Sequence, residues 1–373
     1  MSPSTPPGAG TTLGTRAPVA RVTSMRIVPF EALTGEELDA WHRLRAANPQ
    51  LDSPYFHPGF AAAVHRSGRS VEVVLGRDEQ SEIRALLPTH RNGGLLRPAG
   101  WPGADFQGPV LTPSTVFPPL KLLAGGARGF AFDHLLHSYP DFAPWVESTL
   151  PSPYVDTSGG LDGYLGRASR SGKDNMGQAR RRAAKAEREY GTLRFAADVV
   201  DDEALRRVVE LKRAQYAETG VRDFFAEPDR LALLSGLLHG RGADFGGVLS
   251  TVHAGRHLIA AHFGLRAGSV LHWWFPVYDP AFAALSPGWI LLRELIAASA
   301  RLGITRIDFG RGDDEYKRRA KTGETWVCQG VVTRSAIRRA LRRSRNRLID
   351  TARSSALGPG LRRAVRTIRG INR

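Results

Sequence analysis

Val270-Leu271-His272-Trp273-Trp274-Phe275-Pro276-Val277-Tyr278, followed by Asp279-Pro280 and then by Ser286-Pro287-Gly288, decides how this chain folds. The aromatic and β-branched run reads as a buried strand. Beyond the turn, Trp289, Ile290, Leu291, Leu292, Leu295, Ile296 and Ala300 recur at helical spacing until Gly303 stops the pattern. Ser286 is expected to be the N-cap, with Pro287 at the first helical position, where a missing N–H costs nothing. Gly288 leaves room for a ligand or another backbone. A second strand over 304–309 runs into Gly310-Arg311-Gly312-Asp313-Asp314-Glu315-Tyr316-Lys317-Arg318-Arg319. Strand, helix and strand thus bring a helix N-terminus beside a glycine-rich, charged loop.

Upstream, strands over 247–253, 257–266 and 269–278 are joined by turns at Ala254-Gly255-Arg256 and Ala267-Gly268, an antiparallel meander. Helices are expected before it over 201–219, stopped by Gly220, and over 229–239. A basic helix over 175–190 ends at Gly191. The first half reads as a helix over 36–47 capped by Thr34, strands over 71–76, 82–88 and 131–136, and a loop holding Asp105-Phe106-Gln107-Gly108-Pro109. The proline-interrupted stretch 140–153 reads as a connection between domains.

A length of 373 residues predicts two domains. The expected divisions are a disordered Pro/Gly/Ser/Thr-rich leader over 1–24, units over 25–150 and 151–333, and an arginine-rich tail over 334–373. The single cysteine, Cys328, excludes an intramolecular disulfide and suits a reducing compartment. No apolar run is long enough to span a bilayer. The motifs of nucleophile-elbow hydrolases, zincins and P-loop proteins are absent. The net charge of +16 is concentrated: residues 334–373 contribute +12 and residues 167–188 contribute +6, so the remainder is close to neutral at −2. His253, His257, His262 and His272 fall on separate strands without the helical pairing of known metal sites, so no metal is expected.

Four stretches carry a family resemblance. Asp105-Phe106-Gln107-Gly108-Pro109-Val110, Ser171-Gly172-Lys173-Asp174-Asn175 with Arg180-Arg181-Arg182, Tyr278-Asp279-Pro280 with Ser286-Pro287-Gly288, and Asp308-Phe309 with Gly312-Asp313 and Tyr316-Lys317-Arg318-Arg319 occur in this order. Together they resemble the Fem-like branch of the GNAT acyltransferases, and most closely the CelD-type proteins of polysaccharide clusters. The resemblance implies an α/β (α+β) fold of tandem GNAT-like domains, each a mixed, mainly antiparallel twisted sheet flanked by helices. It also implies transfer of an acyl group, acetyl above all, from acyl-CoA to an amine of a sugar or cell-envelope precursor, with no permanently bound cofactor.

Amine acylation requires a proton acceptor and donors for the oxyanion. Asp105, Asp308 and Asp313 are the candidates for proton transfer. By the resemblance, Tyr278, Ser286, Pro287 and Gly288 would hold the donor. Gln107, Lys173, Asn175, Arg180, Tyr316 and Lys317 would contact the acceptor. Two other functions fit the same residues. One is a Fem-like transfer from aminoacyl-tRNA, with RNA gripped by the basic segments. The other is a non-catalytic protein that binds nucleic acid or membrane. Ile337, Leu341, Leu348 and Ala352 alternate with arginines in the tail at helical spacing, a pattern suited to an anionic membrane surface. A cytoplasmic location is expected, peripheral to the inner face of the plasma membrane if that tail docks.

Overall fold

The computed structural model describes residues 19–335. It is a mixed α/β fold built on one thirteen-stranded sheet. The strands are β1 (Ser24–Pro29), β2 (Glu72–Arg77), β3 (Ile83–Asn92), β4 (Leu95–Pro98), β5 (Val110–Leu111), β6 (Gly129–Leu136), β7 (Val146–Asp156), β8 (Leu193–Val199), β9 (Phe245–Ala254), β10 (His257–Ala267), β11 (Val270–Tyr278), β12 (Arg306–Asp308) and β13 (Gly323–Val332). They lie in the order β1-β2-β3-β4-β6-β13-β7-β12-β11-β10-β9-β8, with β5 against β3. Neighbours run antiparallel except β4–β6 and β11–β12.

The helices are α1 (Gly35–Ala46), α2 (Pro58–Arg66), α3 (Gly160–Arg167), α4 (Arg170–Tyr190), α5 (Asp202–Thr219), α6 (Pro228–His239), α7 (Pro287–Leu302) and α8 (Glu315–Ala320). Local chemistry fixes their ends. Thr34 and Glu37 form a reciprocal capping box at α1, Asp201 accepts the Ala204 N–H at α5, and Gly220 and Gly303 close α5 and α7 in the left-handed region. No helix among the described residues is long and apolar enough to cross a membrane.

Two apolar cores cover the sheet. Trp41, Phe60, Leu205, Leu211 and Leu234 belong to one, while Tyr164, Met176, Ala179, Ile290 and Leu295 belong to the other. Helices α5 and α7 both pack on β10 and β11 yet sit in different cores, so they occupy opposite faces of the same strands.

Three expectations change. The stretch 140–153 is no connection: it supplies a short 3-10 turn and then β7, which lies between β13 and β12. Its prolines are tolerated because their carbonyls do the work, Pro151 accepting the Gly312 N–H at 3.1 Å and Pro153 the Phe309 N–H at 3.0 Å. The end of the expected leader is docked, with Val22 buried and its N–H 3.0 Å from the Val116 carbonyl. Strand β13, which no sequence pattern announced, joins β6 of the first half to β7. The rest of the leader and the tail beyond Ser335 lie outside the described residues.

Arg306 fastens β12 to the first half. Its Nη1 and Nη2 lie 2.6 and 2.5 Å from the Asp52 carboxylate, and its Nε lies 3.0 Å from Asp308 Oδ1. Burial raises the pKa of Asp308, and the Arg306 charge partly offsets that rise. The substitution Arg306→Met leaves a buried carboxylate without its cation. It should cost about 3–5 kcal/mol in urea unfolding, with the steepness of the transition unchanged.

Acid should destabilise the fold through buried histidines. Burial is the main reason His57 and His90 are pushed down to about 4 and His262 to about 3, helped by the Arg45, Arg69 and His272 charges respectively. All three are neutral in the fold and take up protons more readily once unfolded. Stability should therefore fall as pH drops from about 6.5 toward 4. The urea midpoint at pH 7.5, 5.5 and 4.5 measures it, and a flat profile would refute the assignment.

Candidate active site

Strand β12 pairs with β11 only at Val270↔Arg306, Leu271↔Ile307 and His272↔Asp308. Beyond that point β11 continues to Tyr278 on β10 alone, while the chain after Asp308 turns to hydrogen-bond Pro153 and Pro151 on β7. The two strands part, and the backbone of β11 from Trp273 onward has no strand partner on that side. A cavity of about 590 Å³ opens there. Its walls include Gln215 from α5, Trp273 and Tyr278 from β11, Gly288 and Trp289 from α7, and Tyr316 from α8.

On the α7 face, Pro287, Gly288 and Trp289 of the first helical turn line the cavity; Pro287 has no N–H and that of Trp289 donates to Ser286 O at 3.0 Å, which leaves Gly288 to present an N–H there. A Cβ added at Gly288 would meet no atom within 4 Å, so the space before the helix is open. Ser286 does not cap the helix as expected. It adopts a left-handed conformation (φ 46°, ψ 59°), makes no cap hydrogen bond, and accepts instead from Arg182 Nη1 at 2.5 Å. Arg182 on α4 thereby places a guanidinium beside the α7 N-terminus. Tyr278 stands at the rim, 46% exposed.

On the opposite face, the loop after β4 carries Asp105 to the base of the opening. Asp105 Oδ2 accepts from His272 Nε2 at 2.9 Å, and its Oδ1 lies 3.4 Å from His134 Nε2. The other nitrogen of His134 is 3.0 Å from Asp133. The Asp105 side chain keeps 25% of its surface accessible while His272 is fully buried, so the carboxylate is the most exposed member of this group. Burial alone would raise its pKa. The His272 hydrogen bond and the His134, His272 and Lys317 charges outweigh burial and hold it down at about 2. Gly310, at φ +72°, lies so close that a Cβ there would collide with Asp105 Oδ2.

The other expected residues divide. Lys317 Nζ donates to the carbonyls of Gly310 and Arg311 at 3.2 and 3.0 Å and so braces this loop. Tyr316 lines the cavity. Asp308 faces Arg306 instead of the cavity, because its strand position turns it into the sheet. Asp313 is 67% exposed and pairs with Arg318, away from the opening. Gln107 is buried and fully engaged: Nε2 donates to Ala104 O and Asp133 Oδ1, and Oε1 accepts from the Asp133 and His134 N–H groups. Its role here is to clip the loop to β6. The amide of Asn175 is engaged with Ser171 O, while Lys173 and Arg180 lie on the outer surface of α4.

His134, His272 and Arg182 were not anticipated as site residues. Arg182 alone had a signal, sitting one turn from Ala179 and Ala186 on the buried stripe of α4. Among the described residues one group, His42, His57 and Asp244, brings metal-type ligand atoms within 4.8 Å of one another. His57 Nδ1 accepts the Gly59 N–H at 3.0 Å, which leaves the proton of the neutral ring on Nε2, 3.1 Å from Asp244. A protonated Nε2 cannot bind a metal, so this is a hydrogen-bonded cluster. His262 is buried and stacked on Trp273 at 4.1 Å, a core histidine.

Residues 173–318 match the acetyltransferase (GNAT) domain family. No curated protein matches the chain. Among solved structures, FemX superposes with a TM-score of 0.54 at 11% identity, covering 82% of this chain and 96% of FemX. A conserved protein of unknown function from Bacteroides thetaiotaomicron gives 0.51 at 10% identity, covering 79% and 97%. A C-terminal domain from Agrobacterium fabrum, described as that of a lysylphosphatidylglycerol synthetase, gives 0.50 at 12%, covering 83% and 96%. At such identities the structures speak for a shared fold, and the family match speaks for the segment that holds the opening, α7 and α8. Over residues 173–318 the chain is thus similar to acetyltransferase (GNAT) domains, and the fold agrees.

Proposed function

We propose that this protein moves an acyl group, acetyl in the simplest case, from acyl-CoA to an amine of a sugar or cell-envelope precursor. One observation carries the reading: an opening through the sheet has an anion-binding helix end on one face and a carboxylate–imidazole group on the other. A donor phosphate is held by the Gly288 N–H at the start of α7 and the Arg182 guanidinium. The helix end contributes about 0.3–1 kcal/mol, and up to about 2 when partly buried. The unpaired backbone of β11 offers hydrogen-bond donors to the carbonyl oxygen as negative charge develops there.

Asp105 meets the amine. With a pKa of about 10.4, an alkylamine is neutral in roughly one molecule in a few thousand at pH 7, so a negative group is needed beside it. As the N–C bond forms and the C–S bond breaks, the proton leaving nitrogen passes by way of the Asp105 carboxylate to water. A carboxylate held so low is a weak base, so its main part is to hold the amine and direct that proton outward. Burial, with Asp314 and Asp105 nearby, raises the pKa of Tyr316, so its hydroxyl remains protonated and available to the departing sulfur.

A second reading is favoured by the outer surface of α4, which exposes Lys173, Arg180, Arg181, Lys185 and Arg188. In that reading the donor is an aminoacyl-tRNA, and RNA affinity falls with salt at a slope near −0.7 per neutralised phosphate. The tail over 334–373 adds a peripheral contact with anionic membrane in either case.

Gly288→Trp should abolish acyl-CoA binding in calorimetry while leaving the melting temperature within a degree or two, because the new ring enters open space. Unchanged binding would remove the phosphate from α7. Asp105→Asn keeps the side chain's shape. It should lower CoA release with an amino-sugar acceptor by about 10²–10⁴-fold at unaltered donor affinity. A variant that is equally active shows that another group receives the proton.

A further inference from the structure

Lys212 on α5 has no part in the chemistry above, yet its ammonium contacts two residues of the cavity wall. It follows Leu205 and Val208 by seven and four residues, so it falls on the apolar stripe of its helix instead of the solvent side. Its Nζ lies 2.9 Å from Gln215 Oε1 and 3.4 Å from the Pro276 carbonyl on the free length of β11, and 5.6 Å from the centre of the Tyr216 ring. Gln215 and Pro276 are both cavity walls. No carboxylate among the described residues forms an ion pair with Lys212.

The nearby charges are uneven. Burial and the repulsion of Lys317 push the Lys212 ammonium down to about 8, and Asp314 only partly offsets this. Asp314 is 63% exposed and already sits 3.4 Å from Lys317. The acid on the cavity wall, Glu218, lies six residues beyond Lys212, nearly two helical turns, toward the exposed end of α5. An ammonium beside the cavity wall with no acid of its own is an arrangement that an anion completes.

The side of the sheet decides whose anion it is. Arg182 and the α7 N-terminus belong to the face covered by α4 and α7, where the donor phosphates are placed. Helix α5 belongs to the other core, on the face that carries Asp105. We propose that Lys212 is a phosphate subsite for the acceptor, so that the acceptor is an amine that also bears a phosphate group. Its amine meets Asp105 while its phosphate meets Lys212. This rests on the donor side assigned above, and it narrows the acceptor to phosphorylated amines.

Inorganic phosphate is titrated calorimetrically into the full chain saturated with desulfo-CoA, which fills the donor side without reacting. Phosphate should bind one site. Lys212→Met, which keeps the apolar stem, should weaken it at least tenfold, and Lys212→Arg should retain it; melting curves confirm that both variants fold. Equal affinity in the wild type and Lys212→Met overturns the subsite. So does phosphate that desulfo-CoA displaces, since it would then occupy the donor side, and so does a wild type that binds no phosphate. If desulfo-CoA itself fails to bind, the donor reading falls alone. The unliganded chain then decides Lys212: phosphate must be lost in Lys212→Met and kept in Gly288→Trp, and any other pattern overturns the proposal.

Discussion

The parting of β11 from β12 after the His272–Asp308 pair is the constraint on which the rest depends. Strands in a sheet satisfy their backbone groups with each other, so a sheet opens only where another element takes one strand away. Here β7 does so: its Pro151 and Pro153 carbonyls capture the N–H groups that follow β12. Arg306 then locks β12 to Asp52 in the first half of the chain. The opening is therefore a product of both halves, although α5, β11, α7 and α8 form its walls.

Charge is sorted across the opening by the sheet itself. The α7 end and Arg182 make one face attractive to anions. On the other face Asp105 is held negative by His272, His134 and Lys317, and the Lys212 ammonium sits against Gln215 and Pro276 of the cavity wall. These fields act strongly across the opening because a low-dielectric sheet with few mobile ions screens them little. In the proposed reaction, donor and acceptor approach from opposite faces and meet where the backbone of β11 is unpaired.

Several residues that look functional in the sequence prove to be braces. Asp308, alone in an apolar strand, suggested a catalytic acid; its carboxylate meets Arg306, two residues away on the same strand. Gln107 satisfies three groups of β6 and one of its own loop, which leaves nothing for a substrate. Conversely, Lys212 reads as an ordinary lysine in a charged helix. Only its place on the apolar stripe, four residues after Val208, distinguishes it.

What the sequence by itself determined is local. Alternation and β-branched or aromatic content set the meander, 3.6-residue spacing set α1, α5 and α7, and Thr34, Asp201, Gly220 and Gly303 set their ends, because hydrogen bonds between neighbours in the chain decide those features. The motif order also announced the fold, and of its residues Tyr316 and Gly288 line the cavity. Tertiary structure alone decided the partners. His272 and Asp105 are 167 positions apart, and Arg306 and Asp52 are 254 apart. Strand β7 became central in spite of its prolines, and β13 joined the halves, because strand pairing at long range depends on which edges are left open once the local elements have packed. No periodicity records which edge that will be.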